Sequence, residues 1–87
     1  MAMTTHAVGS AYVRVALEAA TDVTVQATGT AGLRVAPGTD AEAPAANVAG
    51  FLIVYGNAAT RAEIPGGAIW AKSALENRAS EATVEAV

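Results

Sequence analysis

The chain has 87 residues, of which 53% are hydrophobic and only 15% charged, with a net charge of −3. That length sets a single domain. With no cysteine there is no disulfide and no thiolate metal site, and Arg14, Arg34, Arg61, Lys72 and Arg78 are too scattered for the basic patch that nucleic-acid binding needs.

Soluble domains typically carry about 25% charged residues. The shortfall here leaves little to cover an exposed surface, and a small core without a disulfide or metal gains most from a partner. No apolar run approaches the roughly 18 residues of a membrane-spanning helix, so no membrane contact is expected. The N-terminus lacks the basic start and continuous apolar stretch of a signal peptide. The expectation is a protein made and used in a cytoplasm, or assembled into something there.

Residues 1–10 are small and polar and read as an arm, leaving 11–87 as a single β-sandwich domain. From Ala11 to Leu17 apolar and polar residues alternate, predicting a half-buried strand with Val13, Val15 and Leu17 on one face and Tyr12, Arg14 and Glu18 on the other. Asp22–Thr28 alternates again, with Val23, Val25 and Ala27 inward, and Leu33 and Val35 flank Arg34 in a short third strand. These three strands are expected to form a meander. Pro37–Ala49 has no strand period and reads as a long acidic, proline-containing loop with room for one helical turn.

Gly50–Tyr55 is the most apolar run and predicts a strand apolar on both faces, one packed in the sandwich and the other covered by the loop or another subunit. Thr60–Ile64 then leads into a type II turn at Pro65-Gly66, and Ala68–Ala74 returns, making a hairpin. Glu76-Asn77-Arg78 is a polar turn, and Glu81–Val87 closes the chain with Ala82, Val84 and Ala86 opposed to Thr83, Glu85 and Val87. A rival helical spacing runs through Ala71, Ala74, Leu75, Ala79 and Ala82, but the clean alternation at the end favours a strand. The sum is an all-β fold, a small sandwich or barrel of about seven short antiparallel strands.

No catalytic constellation emerges. The one histidine, His6, lies in the arm, and the closest acidic pair, Asp40 and Glu42, sits in the loop. Calcium needs about six to eight oxygens, so that pair reads as a solvated loop. Gly66-Gly67 serves the turn, with no GxxxxGK[ST] pattern for a phosphate loop. The expectation is a protein that is not an enzyme and has no cofactor and no metal. Trp70 is the sharper feature. On a strand it shares a face with Lys72, opposite Ile69 and Ala71. It is either a core residue or an outward interface anchor, and Tyr12 with Arg14 repeats the arrangement on the first strand. With Phe51 and Tyr55 from the apolar strand, these four complete the candidate interface.

The alternating first strand, Val23-Thr24-Val25-Gln26, the glycine-rich turn, Leu33-Arg34-Val35, the acidic loop and Gly50-Phe51-Leu52 lead to Ile64-Pro65-Gly66-Gly67-Ala68-Ile69-Trp70-Ala71-Lys72-Ser73 and a final Ala82-Thr83-Val84. In that order they resemble small all-β structural proteins of tailed bacteriophages, head decoration (cement) proteins in particular, over residues 11–87. The resemblance implies a multi-copy, homo-oligomeric β-sandwich in the virion, assembled in the host cytoplasm. Its implied partner is the major capsid protein or another virion protein, and it brings no catalytic residues. The alternatives are another virion position, such as head–tail connector or tail, and a module that binds a host glycan by stacking sugar rings on Trp70, Tyr12 and Tyr55.

Overall fold

The computed structural model describes residues 2–64 and 66–86. Eight strands run in chain order: β1 (Ala2–Val8), β2 (Val13–Ala16), β3 (Val23–Ala27), β4 (Leu33–Gly38), β5 (Phe51–Ile53), β6 (Ala58–Thr60), β7 (Ala68–Ser73) and β8 (Ser80–Ala86). They form two four-stranded antiparallel sheets, ordered β1-β8-β3-β6 and β2-β7-β4-β5, packed face to face as a sandwich. Among the described residues no helix is long and apolar enough to cross a membrane.

The alternation read in the sequence drives this arrangement. Val23, Val25 and Ala27 of β3, Ala82 and Val84 of β8, Leu33 and Val35 of β4, and Ile69 and Ala71 of β7 all point between the sheets and are buried. Leu33, Ile69 and Val25 are entirely so. Only small and branched aliphatic side chains fill the space, which suits sheets about 10 Å apart. Glu76-Asn77-Arg78 turns as expected, with Asn77 in the left-handed region at φ 61° and Arg78 N–H donating to the Leu75 carbonyl. The helical spacing at 71–82 is therefore realised as strand, turn and strand.

Several expectations change. The N-terminal segment is no arm: β1 pairs along its whole length with β8, from Ala2↔Ala86 to Val8↔Ser80, and Val8 is buried in the core. The three-strand meander does not form, because β2 lies in one sheet, β3 in the other and β4 back in the first. Alternation fixes which face of a strand is buried, but every strand of a sandwich has one buried face, so it does not fix the partner.

The expected hairpin is absent for a related reason. β6 pairs with β3, and a single 3-10 turn at Arg61–Glu63 then carries the chain across to the other sheet, burying Ile64 on the way. Glu63 caps that turn by accepting from Thr60 N–H at 3.1 Å. Pro65 itself lies outside the described residues, and Gly67 has φ +113°.

In β2 a bulge between Arg14 and Ala16 turns Ala16 inward beside Val15 and leaves Leu17, expected to be inward, 48% exposed. Pro37 and Gly38, expected in the loop, complete β4 and pair with Ile69 and Ala68 of β7. A proline is tolerated there because β5 reaches only Leu33–Val35, so the other side of β4 is an open edge at Pro37.

Candidate functional site

On β7 the burial of Ile69, Ala71 and Ser73 puts Trp70 and Lys72 on the outer face of the sheet. The sequence left Trp70 open between core and surface, and the structure places it outside the core, half-buried. Neighbouring strands supply the rest of that face. Arg14 of β2 and Ala36 of β4 lie opposite Trp70, and Arg34 of β4 lies opposite Lys72.

What covers this face is the chain's own loop, residues 39–50. Four outer-face side chains each donate to a backbone carbonyl of that loop. Trp70 Nε1 donates to Thr39 O at 2.9 Å and Arg14 Nη1 to Asp40 O. Lys72 Nζ donates to Ala46 O at 3.1 Å and Tyr12 Oη to Val48 O at 2.8 Å. Lys72 also stands 4.5 Å over the Tyr12 ring, a cation–π contact. Asp40 is held further by its carboxylate, which accepts from Glu18 N–H at 2.8 Å, and Thr39 Oγ1 accepts from Glu42 N–H at 2.8 Å. Carbonyls of an irregular segment lying on a sheet need donors, and these side chains supply them. No helical turn forms in the loop.

Trp70 lies so close to β4 that a Cβ on Gly38 would sit 2.8 Å from Nε1. Burial pushes the Tyr12 phenol above its ordinary range, and the positive charge of Arg34 opposes that shift. Thus Trp70, Lys72, Tyr12 and Arg14 do converge, and all four are engaged by the chain's own backbone.

Phe51 and Tyr55 lie elsewhere. β5 is an edge strand of three residues, shorter than the expected Gly50–Tyr55, and its one hydrogen-bonded neighbour is β4. Ile53 faces the core beside Leu33 and is buried. Around it Phe51 is 46% exposed, Leu52 47%, Val54 49% and Tyr55 60%. Phe51 pairs with Val35 and so shares its face, but on the edge strand it stays half exposed. The cover expected for the second apolar face is not provided by the loop. Leu52 and Val54 belong with this patch and were missed. Their signal was the unbroken apolar run, which exceeds what one buried face can absorb.

The opposite sheet presents a different surface. Thr83 Oγ1 lies 3.4 Å from Thr5 Oγ1 and 3.2 Å from Thr28 Oγ1, and Thr28 Oγ1 donates to Glu81 Oε1 at 3.1 Å. His6 sits on β1 opposite Ala82. Among the described residues no three of histidine, aspartate and glutamate gather as they would around a metal ion. Comparison with protein-family models finds no match, and comparisons with curated proteins and with solved structures likewise find none.

Proposed function

We propose that this protein is a structural subunit that acts by docking, and specifically a capsid decoration protein of a tailed bacteriophage, one that binds the assembled head lattice and stabilises it. The observation that carries the docking reading is the group Phe51, Leu52, Val54 and Tyr55, each about half exposed, on the open edge strand β5 and just past its end. Large apolar side chains left exposed together in one short segment mark interaction sites, and proteins normally blunt an open edge with charge or proline. The 51–55 run contains neither. The choice of a virion partner rests on the sequence resemblance to phage structural proteins.

In this reading the loop clamp has a supporting role. It covers the outer face of the β2-β7-β4-β5 sheet within the subunit and leaves the β5 edge as the apolar surface offered to the shell. A protein that binds the lattice but not free shell subunits shifts the assembly equilibrium toward the lattice by mass action. The glycan-binding alternative is weakened because two of its three rings, Tyr12 and Trp70, lie under the loop with their donors engaged.

The test is reconstitution. Particles stripped of this protein are mixed with the wild type, with Leu52→Lys or with Val54→Lys, then heated. Both positions are exposed, so Val54→Lys is expected to fold normally and Leu52→Lys, opposite Arg34, to fold with a small loss of stability, while both fail to bind the shell or protect it. Variants that bind and protect like the wild type would remove the edge from the docking surface.

A further inference from the structure

Arg34 and Lys72 are register partners across β4 and β7 and project from the same face of the sheet. Like charges placed directly opposite in a ladder are destabilising. Lys72 is anchored by the Ala46 carbonyl and the Tyr12 ring. Arg34 is half-buried, and among the described residues the guanidinium hydrogen bonds are those of Arg14 and Arg61, so its planar fork is uncommitted.

Both cations line a cavity of about 400 Å³ between the sheet face and residues Ala46–Ala49 of the loop, with Ser10 and Glu76 also in its walls. The wall is rich in donors: the guanidinium N–H groups, the remaining ammonium protons, the Ser10 hydroxyl and the Asn47 amide. Two cations and one carboxylate leave a net charge of +1 (2 − 1) at the site. The positive charge of Arg34 also opposes the upward shift of the Tyr12 phenol.

We propose that the Arg34–Lys72 cleft is a carboxylate-binding site. A carboxylate matches the guanidinium fork in two parallel hydrogen bonds and leaves its charge within reach of the Lys72 ammonium. A monoanion brings the +1 site to neutrality, whereas a dianion such as sulfate or phosphate leaves it at −1 (1 − 2), with the Glu76 carboxylate in the same wall. The carboxylate comes either from a free small molecule or from an acidic side chain of a docked protein, and the chemistry is the same for both. The site does not rest on the proposed role in the virion.

The test is a titration of the full chain followed by amide NMR, at constant ionic strength maintained with chloride. The probes are acetate, a glutamate peptide capped at both ends, and sulfate. The expected result is saturable shifts at Arg34, Lys72 and residues 46–49 with acetate and the capped peptide, and weaker binding of sulfate. Arg34→Gln should weaken carboxylate binding about tenfold, in line with loss of a charge-assisted hydrogen-bond pair. Arg34→Lys, which keeps the charge and loses the fork, should lie between. Tighter binding of the capped peptide than of acetate assigns the site to an acidic side chain, and equal binding assigns it to a free carboxylate.

Shifts that stay linear in concentration, affinities unchanged in both Arg34 variants, or sulfate binding as tightly as the carboxylates would overturn the proposal. The spectra of the variants report folding directly. Leu52→Lys, which tests docking, lies on the same face as Arg34, so Val54→Lys is the variant that keeps the two ideas separable: it should lose docking and retain acetate binding.

Discussion

Trp70 Nε1 and the Thr39 carbonyl, 2.9 Å apart, tie the long loop to the outer face of the β2-β7-β4-β5 sheet. The contact joins one strand to the first residue after another, and three more donors follow it along the loop. Trp70→Phe should keep most of the ring packing and lose one hydrogen bond, at a cost of about 1 kcal/mol. Trp70→Ala should lose buried area as well, bringing the cost to about 2–3 kcal/mol. Urea denaturation measures both, and limited proteolysis should cut within residues 39–50 faster in each variant. Unchanged cleavage in Trp70→Ala would show that the loop is held without the indole.

Gly67 is held by two constraints. Its φ of +113° lies where side chains are rarely found, and a Cβ would stand 2.3 Å from the Gly38 carbonyl oxygen. Gly67→Ala should cost about 2 kcal/mol or more. Gly9→Ala is the matched control, with nothing within 4 Å of its Cβ position, and should change stability by less than about 0.5 kcal/mol. Thermal unfolding of the pair provides the comparison.

Ser80 Oγ is buried and has no hydrogen-bond partner among the described residues. Such a group pays a desolvation penalty with no return. Ser80→Ala should therefore be neutral or stabilising by up to about 1 kcal/mol, which chemical denaturation can resolve. A clear loss of stability would mean that the hydroxyl is satisfied in solution by a bound water.

The Tyr12 phenol titrates above its ordinary range because burial disfavours the phenolate, with Arg34 pulling the other way. A raised pKa in the folded state means that the folded protein holds its proton where the unfolded chain has begun to lose it. The contribution is present in full below about pH 10 and is lost as pH rises through the higher folded value. Ionisation also removes the donor to the Val48 carbonyl. Melting temperature should fall more steeply above pH 10 in the wild type than in Tyr12→Phe. Parallel curves for the two proteins would contradict this.

The inward faces were legible because alternation is a local property: Val23, Val25 and Ala27 announce one buried face, and Ala82 and Val84 another. Trp70 could be placed opposite Ile69 and Ala71 on the same grounds. Strand partners were not legible, because β2, β3 and β4 each bury one face whichever sheet they join. β1 was hidden by its composition, since Thr4, Thr5 and His6 look like an arm until β8 supplies their ladder. The bulge at Val15 shifted the phase of β2 and exposed Leu17.

At the site, the donors Trp70, Lys72, Tyr12 and Arg14 stood out as side chains. Their acceptors are the carbonyls of Thr39, Asp40, Ala46 and Val48, which any residue could provide and no sequence pattern marks. Arg34 could have been added from the same alternation, since Leu33 and Val35 inward leave it outward.

The central claim, that this is a lattice-binding decoration subunit, is tested most directly by its copy number. In particles of the phage proposed to encode it, quantitative mass spectrometry would measure this chain against the major shell protein. The predicted result is a ratio near one or a simple fraction of one. A few copies per particle, or none, would contradict the claim.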